Sequence, residues 1–171
     1  VNSVAFTPDG NYALSGSSDN TLKLWSIAEE RCIKTYTGHS GAINSIAVTP
    51  DGKYVVSGSI DNAIRVWSIG SGECVRRLAG HTGSVMSLSI SPDGLYLLTA
   101  SADKSLKFWD ISTGMCLKTF TGHTATVWSV TFSPDGKFAV SGGADNLMKV
   151  WSIKSGECIY TFIGNPDNVI S

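Results

Sequence analysis

The feature that most restricts the fold of this chain is a strict internal repeat of 42 residues. The period is kept without insertion or deletion by four tryptophans, four "PDG" turns and four cysteines. A period of this length is typical of repeat proteins, in which each unit buries its apolar surface against the next. The four tryptophans are Trp25, Trp67, Trp109 and Trp151. The predicted units span residues 1–42, 43–84, 85–126 and 127–168, and residues 169–171 begin another.

The unit at residues 43–84 indicates what each repeat forms. An apolar segment, "INSIAVT", precedes a "PDG" turn, in which Pro presets φ and Gly supplies a positive φ. A second strand, "KYVVSGS", runs into a tight turn at Asp61-Asn62, and "AIRVWSI" then alternates like a third strand. "GSGE" turns the chain into "CVRRLAG". The pattern therefore predicts four short antiparallel strands per unit and no helix. A sheet this small, apolar on both faces, needs copies of itself on either side, as in a β-propeller.

The repeated pattern "GH" followed by "SGSxDxxxKxW" resembles the WD-repeat β-propeller family over the whole chain. The literal Trp-Asp pair occurs at Trp109-Asp110, whereas the other three units have Trp-Ser. The resemblance implies an all-β fold of four four-stranded antiparallel blades. Because propellers of this family usually have seven or eight blades, the four would form an open arc with an apolar face at each end. We expect the remaining blades to come from the same full-length chain or from another chain.

The overall composition excludes several classes of partner. The chain has 171 residues, of which 42% are hydrophobic and 16% charged, as in a soluble and well-packed protein. Lys and Arg number 13 against 14 Asp and Glu, so no electrostatic signature of nucleic acid or membrane binding is present. Because the chain starts inside a repeat, without an initiator Met or a signal peptide, we expect a piece of something longer.

The cysteines carry information on the cellular compartment. They occupy the same place in successive units, where two Cα atoms rarely come close enough for a disulfide. Half-buried free thiols in a reducing compartment are therefore favoured over two disulfides, which implies an intracellular, cytoplasmic location. The four residues are Cys32, Cys74, Cys116 and Cys158.

Each complete unit contains a His, a hydroxyl residue, an Asp and a Trp at fixed offsets. A Ser, His and Asp together suggest a hydrolase, but the groups can satisfy one another, because the indole donates to the hydroxyl, the hydroxyl to the imidazole and the imidazole to the carboxylate. We interpret them as a structural tetrad, as the family resemblance also implies. The predicted members are His39, Ser57, Asp61 and Trp67; His81, Thr99, Asp103 and Trp109; His123, Ser141, Asp145 and Trp151; and, without a His, Ser15, Asp19 and Trp25.

Two details of the tetrad stay open in the sequence. The hydroxyl lies either four residues before the Asp or two before it, and the first series is favoured because it has Ser or Thr in every unit, whereas the second ends in Gly143. At the C-terminus "GH" becomes Gly164-Asn165, so the next unit would lack its His. No Cys or His pair has the spacing of metal ligands and no phosphate-binding loop is present, so we expect no metal and no cofactor.

Partner selection should depend on exposed positions that differ between units. In the first strand of each unit the apolar spacing changes from three to two, which indicates a β-bulge that redirects the residue after the first apolar one. The following residue is always Ser (Ser3, Ser45, Ser87, Ser129), which indicates limited space. The redirected residues are Asn2, Asn44, Met86 and Trp128.

The resemblance implies that these bulge residues and two further series line the top face around the central channel. The further series are the residue two before the bulge (Ala42, Ser84, Thr126) and the residue before the tetrad Asp (Ser18, Ile60, Ala102, Ala144). In this family that face receives peptides and proteins, and Trp and Met are favoured interface residues. Trp128 either anchors a partner or packs against its neighbours.

The sequence thus predicts a non-catalytic scaffold for a protein or peptide partner. Two alternatives remain: a purely architectural element that another chain completes, and a propeller enzyme. The enzyme is disfavoured because the bulge series contains Asn, Met and Trp, with no carboxylate or His.

Overall fold

The fold is built from short strands throughout. A computed structural model describes residues 1–164, so Asn165 and the predicted start of a further unit at 169–171 lie outside the described residues. The strands of the described chain are β1 (Ser3–Phe6), β2 (Tyr12–Gly16), β3 (Leu22–Ser26), β4 (Arg31–Tyr36), β5 (Ile43–Val48), β6 (Tyr54–Ser59), β7 (Ile64–Ser68), β8 (Cys74–Leu78), β9 (Val85–Ile90), β10 (Tyr96–Ser101), β11 (Leu106–Asp110), β12 (Cys116–Phe120), β13 (Val127–Phe132), β14 (Phe138–Gly143), β15 (Leu147–Ser152) and β16 (Cys158–Ile163).

Consecutive groups of four strands form four antiparallel sheets, which we call blades 1 to 4. The turns follow from their residues: Gly52 in a "PDG" turn has φ 70°, and Asn62 after the tetrad Asp has φ 66°. Both values lie in the left-handed region that Gly and Asn adopt most readily. This arrangement confirms the predicted all-β architecture of four four-stranded blades.

The hydrophobic core lies between successive blades. Between blades 2 and 3, for example, Val56 and Val66 of one sheet pack on Leu97 and Trp109 of the next, and all four are at most 2% exposed. Equivalent clusters join blades 1 and 2 and blades 3 and 4. Each inner sheet is therefore buried on both faces, because its neighbours in the chain cover it.

The outer faces of blades 1 and 4 show the same positions without a neighbour. Phe162 of blade 4 is 47% exposed, whereas its counterpart Phe120 in blade 3 is 1% exposed. At the opposite end Val4 is 71% exposed, against 7% for Leu88. Within residues 1–164 the blades thus form an open arc, as predicted. The described chain contains no helix of sufficient length and hydrophobicity to span a membrane.

The innermost strands are tied together by the serine that follows each bulge. Ser45 Oγ accepts a hydrogen bond from the backbone N–H of Leu88 in the next blade at 3.2 Å. Ser3 and Ser87 accept the corresponding bonds from Ile46 and Val130, at 3.1 and 3.3 Å. The serine therefore supplies an acceptor for the N–H of the neighbouring inner strand, rather than merely fitting a narrow space.

The thiols are more exposed than the sequence indicated. Cys32 is partly buried, but Cys74, Cys116 and Cys158 are exposed, so the prediction of half-buried thiols is wrong for three of the four. The physical reason is their place at the start of the outermost strand of each blade, where no further strand covers them. All four are free.

Candidate functional site

The tetrad forms a continuous hydrogen-bonded chain in blade 3. Trp109 Nε1 donates to Thr99 Oγ1 at 2.9 Å, and His81 Nε2 lies 2.8 Å from the same hydroxyl. On its other side His81 Nδ1 lies 2.7 Å from Asp103 Oδ2. A neutral imidazole protonated on Nδ1 satisfies every member, since Thr99 then donates to Nε2 and Asp103 accepts from Nδ1.

The same geometry recurs in blades 2 and 4. His39 Nε2 is 2.8 Å from Ser57 Oγ, and His123 Nε2 is 2.8 Å from Ser141 Oγ. The hydroxyl that engages the histidine is thus the one four residues before the Asp. The other series bonds elsewhere, for example Ser59 Oγ to the carbonyl of Gly41 at 2.9 Å.

The connection between two blades places each histidine in the tetrad of the following blade. His39 follows β4 of blade 1, but its side chain forms hydrogen bonds with Asp61 and Ser57 of blade 2. It reaches them because the backbone at Gly38 packs closely against Trp67 of blade 2. A Cβ on Gly38 would lie 3.2 Å from Trp67 Cη2, and Gly38 has φ 150°, so glycine is required there by space and by backbone conformation. The backbone N–H of Ser40 then donates to Asp61 at 3.0 Å.

The protonation states agree with this network. Burial lowers the pKa of His81 below its usual 6.5, although the hydrogen bond to Asp103 acts in the opposite direction. Burial opposes ionisation of Asp103, but hydrogen bonds from Ser105 and His81 outweigh it and lower the pKa of that carboxyl to about 2. At neutral pH the pair is therefore a neutral imidazole that donates to a carboxylate.

This arrangement gives a Ser–His–Asp grouping that is poorly suited to nucleophilic attack. The side chain of His123 is 0% exposed, and Ser141 is 1% exposed and already accepts from the indole of Trp151 at 2.8 Å. A nucleophile needs open space beside its hydroxyl and donors for an oxyanion, and neither is available at a hydroxyl covered by Trp and His. The geometry instead holds the blade together.

The bulge residues occupy the same position on the innermost strand of each blade and so form a row across the blades. The pairing shifts register on either side of Asn44, Met86 and Trp128, as the change in apolar spacing predicts. Asn44 Nδ2 donates to the carbonyl of Val85 in the next blade at 3.0 Å and lies 3.7 Å from Met86 Sδ. Asn2 makes the equivalent bond to Ile43 at 3.0 Å. The sequence analysis did not predict these hydrogen bonds between blades. The signal for them was the Asn at the same position of repeats 1 and 2.

The three predicted series of the top face come together in the structure. In blades 2, 3 and 4 the residue before the tetrad Asp donates its backbone N–H to the residue two before the bulge. Ser18 Oγ also donates to the side chain of Asn2 at 3.2 Å. The three backbone pairs are Ile60 to Ala42 and Ala102 to Ser84 at 2.9 Å and Ala144 to Thr126 at 2.8 Å.

The members of the top face differ in exposure. Ile60, a large apolar side chain in a tight turn, is 47% exposed. Ser18 and Asn2 are also exposed, whereas Asn44, Met86 and Trp128 are half-buried. The indole Nε1 of Trp128 is buried and has no hydrogen-bond partner among the described residues. A buried N–H without an acceptor costs about 1–3 kcal/mol, so Trp128 is the one top-face residue here with an unmet polar requirement.

Comparison with known families gives a direct match. The WD domain, G-beta repeat profile matches residues 1–26, 30–68, 72–110 and 114–152, which is most of the chain.

The similar curated proteins are matched over short segments. WD repeat domain-containing protein 83 of Danio rerio is 51% identical over 39 residues, which cover 23% of this chain and 12% of that protein. F-box/WD repeat-containing protein 7 of Drosophila melanogaster is 50% identical over 34 residues, 20% of this chain and 3% of that protein. A ribosome biogenesis protein BOP1 homolog of Drosophila willistoni is 54% identical over 35 residues, 20% of this chain and 4% of that protein. The matched segments thus span at most 12% of these relatives' length.

Proposed function

Because the chain belongs to the WD-repeat family, whose fold is a general scaffold for protein interactions, we propose that it binds a protein or peptide partner on the top face without catalysis. The single observation that carries the proposal is the row of bulge residues. This row keeps one backbone geometry in blades 2 to 4 while its side chains change from Asn to Met to Trp. Constant geometry with variable side chains is what a scaffold needs to select a partner.

Met86 and Trp128 are the proposed anchors of the partner. Both are half-buried, so part of each side chain is already held in place while part remains accessible. Aromatic and Met side chains are enriched at interfaces: a Trp ring contributes a large apolar area at low cost in side-chain entropy, and a Met side chain adapts its shape to the partner. The exposed Ile60 would extend the apolar surface from the side of the turn.

The test uses peptides selected from a displayed random dodecapeptide library on the full chain. Trp128→Ala should weaken the peptides that bind the top face by about 2 kcal/mol or more, measured by fluorescence anisotropy, and leave the melting temperature nearly unchanged. Met86→Asn is the matched variant for the other proposed anchor, because it installs the residue that repeats 1 and 2 carry at this position. If Trp128→Ala unfolds the chain, Trp128 is a core residue and the proposal fails.

A second candidate, an architectural element completed by other blades, is favoured by the exposed ends of the arc. Ile163 is 90% and Tyr160 60% exposed on blade 4, and Phe6 is 67% exposed on blade 1. Such surface usually belongs to an interface. Under this candidate Phe162→Asp abolishes assembly into larger species, measured by light scattering, while Trp128→Ala has no effect. A cytoplasmic location remains part of the proposal, supported by three exposed free thiols, which persist best in a reducing compartment.

A further inference from the structure

The ends of the blades opposite to the top face carry a cavity that combines apolar and charged residues. It lies between blades 2 and 3, where the "PDG" turns and the outer strand of blade 2 meet, and has a volume of about 390 Å³. Pockets of roughly 300 to 1,000 Å³ are the usual size of ligand sites. Its apolar wall is formed by Tyr54, Val66, Val75, Leu95 and Ile111.

One difference between blades 2 and 3 makes this cavity larger than its counterpart between blades 3 and 4. Position 66 is Val, whereas the equivalent residue of blade 3 is Phe108. Phe108 stacks on Tyr96 with ring centroids 4.9 Å apart and lies edge-on to Phe132 at 6.3 Å, so its ring fills the space between blades 3 and 4. The cavity there has only about 220 Å³.

A second difference, at the residue after the "PDG" turn of blade 3, changes the charge of the same cavity. The residue after each "PDG" contacts the second carboxylate oxygen of the Asp in three units: Asn11 Nδ2 lies 2.9 Å from Asp9, Lys53 Nζ lies 3.8 Å from Asp51, and Lys137 Nζ lies 3.6 Å from Asp135. The third unit has Leu95 instead, and its side chain cannot donate.

Asp93 is consequently left with an unengaged oxygen at the rim of the cavity. Its Oδ1 accepts from Ser91 Oγ at 2.5 Å and from the backbone N–H of Leu95 at 3.0 Å. These bonds, that from Ser91 foremost, lower the pKa of the carboxyl, so it is charged at neutral pH. Within residues 1–164 Asp93 Oδ2 has no hydrogen-bond donor or salt-bridge partner, while Leu95 beside it is 58% exposed.

The opposite wall carries the one basic side chain of the cavity. Arg76 Nη1 donates to the carbonyl of Thr113 at 3.3 Å, which directs the guanidinium toward the loop of blade 3. Asp51, which also lines the cavity, has Lys53 as its counter-ion. Asp93, unlike Asp51, therefore has no cation on its own turn that would compete with a basic ligand.

We infer that this cavity, which we call the blade 2–3 pocket, is a second binding site for an extended peptide with an aliphatic or aromatic side chain next to Lys or Arg. The apolar side chain enters beside Val66 and Leu95. The basic residue pairs with Asp93, in the place that Lys53 and Lys137 take on their own turns. Its position at the other ends of the strands leaves it independent of the top face.

The test sorts peptides from the displayed dodecapeptide library by their dependence on Leu95. Leu95→Lys installs the residue that repeats 2 and 4 carry, removes the apolar rim and neutralises Asp93, while Asn11→Lys places a Lys at the equivalent position of repeat 1, on a turn away from the pocket. We expect one group of peptides with an apolar residue beside Lys or Arg, weakened about tenfold or more by Leu95→Lys and unchanged by Asn11→Lys. Trp128→Ala should leave this group unaffected.

Two further variants separate the apolar and the charged contributions. Val66→Phe fills the pocket and should abolish binding of the group, and Asp93→Asn keeps the bonds to Oδ1 while it removes the charge, so affinity should fall several-fold. Should Val66→Phe fail to fold by circular dichroism, Leu95→Lys and Asp93→Asn decide alone. Selection of no peptide that depends on Leu95, or equal loss with Asn11→Lys, overturns the inference. Loss with Trp128→Ala instead supports the top face alone and also overturns it.

Discussion

Blades 1 and 3 each contain a hydroxyl residue, an Asp and a Trp at the same spacing, but only blade 3 is preceded by another described blade. In both, the indole donates to the hydroxyl at 2.9 Å. Trp109 is nevertheless 1% exposed, whereas Trp25 is half-buried. Both aspartates accept from the hydroxyl two residues further on, Asp103 at 2.6 Å and Asp19 at 2.7 Å, but Asp103 is also held by His81, whereas Asp19 is exposed.

The comparison separates two contributions to the stability of a blade. The bond between indole and hydroxyl forms within one sheet and needs no neighbour. Burial of the Trp and fixation of the Asp depend on the preceding blade and on the connection that brings the histidine. Substitutions of the Trp and of the Asp, which are identical in the two blades, should therefore differ in cost.

The largest difference is expected for the tryptophans. Trp109→Ala creates a cavity in the core between blades 2 and 3 and leaves Thr99 without its donor, so the free energy of unfolding should fall by about 3–5 kcal/mol. Trp25→Ala removes a half-buried ring and should cost clearly less. Urea denaturation followed by circular dichroism measures both. Equal losses would show that the preceding blade contributes nothing to Trp109.

A smaller difference is expected for the aspartates. Asp103→Asn weakens the acceptor for His81 Nδ1 and for the backbone N–H of Thr82, a loss of about 1–3 kcal/mol in the free energy of unfolding. Asp19→Asn retains an oxygen for Thr21 on an exposed turn and should not change that free energy measurably. The same denaturation series tests the pair, and a stable Asp103→Asn variant would contradict the structural role of the tetrad.

The smallest effect is the pH dependence of the complete tetrads. A histidine whose pKa is lowered by burial takes up a proton more readily when unfolded, so it stabilises the fold fully above pH 6.5 and progressively less as the pH falls through its folded pKa. Asp61 and Asp103, with pKa values of about 2 against 3.8, add a second loss below pH 3.8. Both contributions destabilise the fold on acidification.

Thermal melts between pH 7.5 and 5 test the histidine contribution. The melting temperature should fall as the pH is lowered, and His81→Gln should give a lower but flatter profile because one of the three titrating groups is gone. A profile that rises on acidification would mean that the histidines are protonated in the folded chain. Blade 1, which has no histidine of its own here, offers no site for this effect.

Much of the fold was predictable because one period positions every strand. The "PDG" turns, the Asp-Asn turns and the bulge before Ser87 each follow from a residue pattern that has one backbone solution. The hydrogen bond that Ser87 Oγ accepts from the backbone N–H of Val130 in the next blade was not predictable, since a small residue is equally consistent with tight packing.

The candidate sites were predictable only in part. The top-face series could be chosen by their variation between repeats, but the half-buried state of Trp128 depends on neighbouring side chains. The blade 2–3 pocket was missed because Val66 and Leu95 lie far apart along the chain on different blades. In the sequence, Val66 and Leu95 each look like an ordinary difference between repeats. Only the structure shows that the small volume of Val66 and the apolar side chain of Leu95 act on the same cavity.

The histidine on the connection between blades also determines where the chain can be divided. A cut at the sequence repeat, after residue 42, separates His39 from Asp61 and Ser57, although both sheets stay whole. A cut between Tyr36 and Gly38 keeps the four tetrad residues on one piece. Residues 38–79, rather than 43–84, are thus the module to duplicate, delete or exchange with another propeller. A graft made at these limits carries its own histidine, and its host must supply an apolar surface on each side and partners for the hydrogen bonds between inner strands.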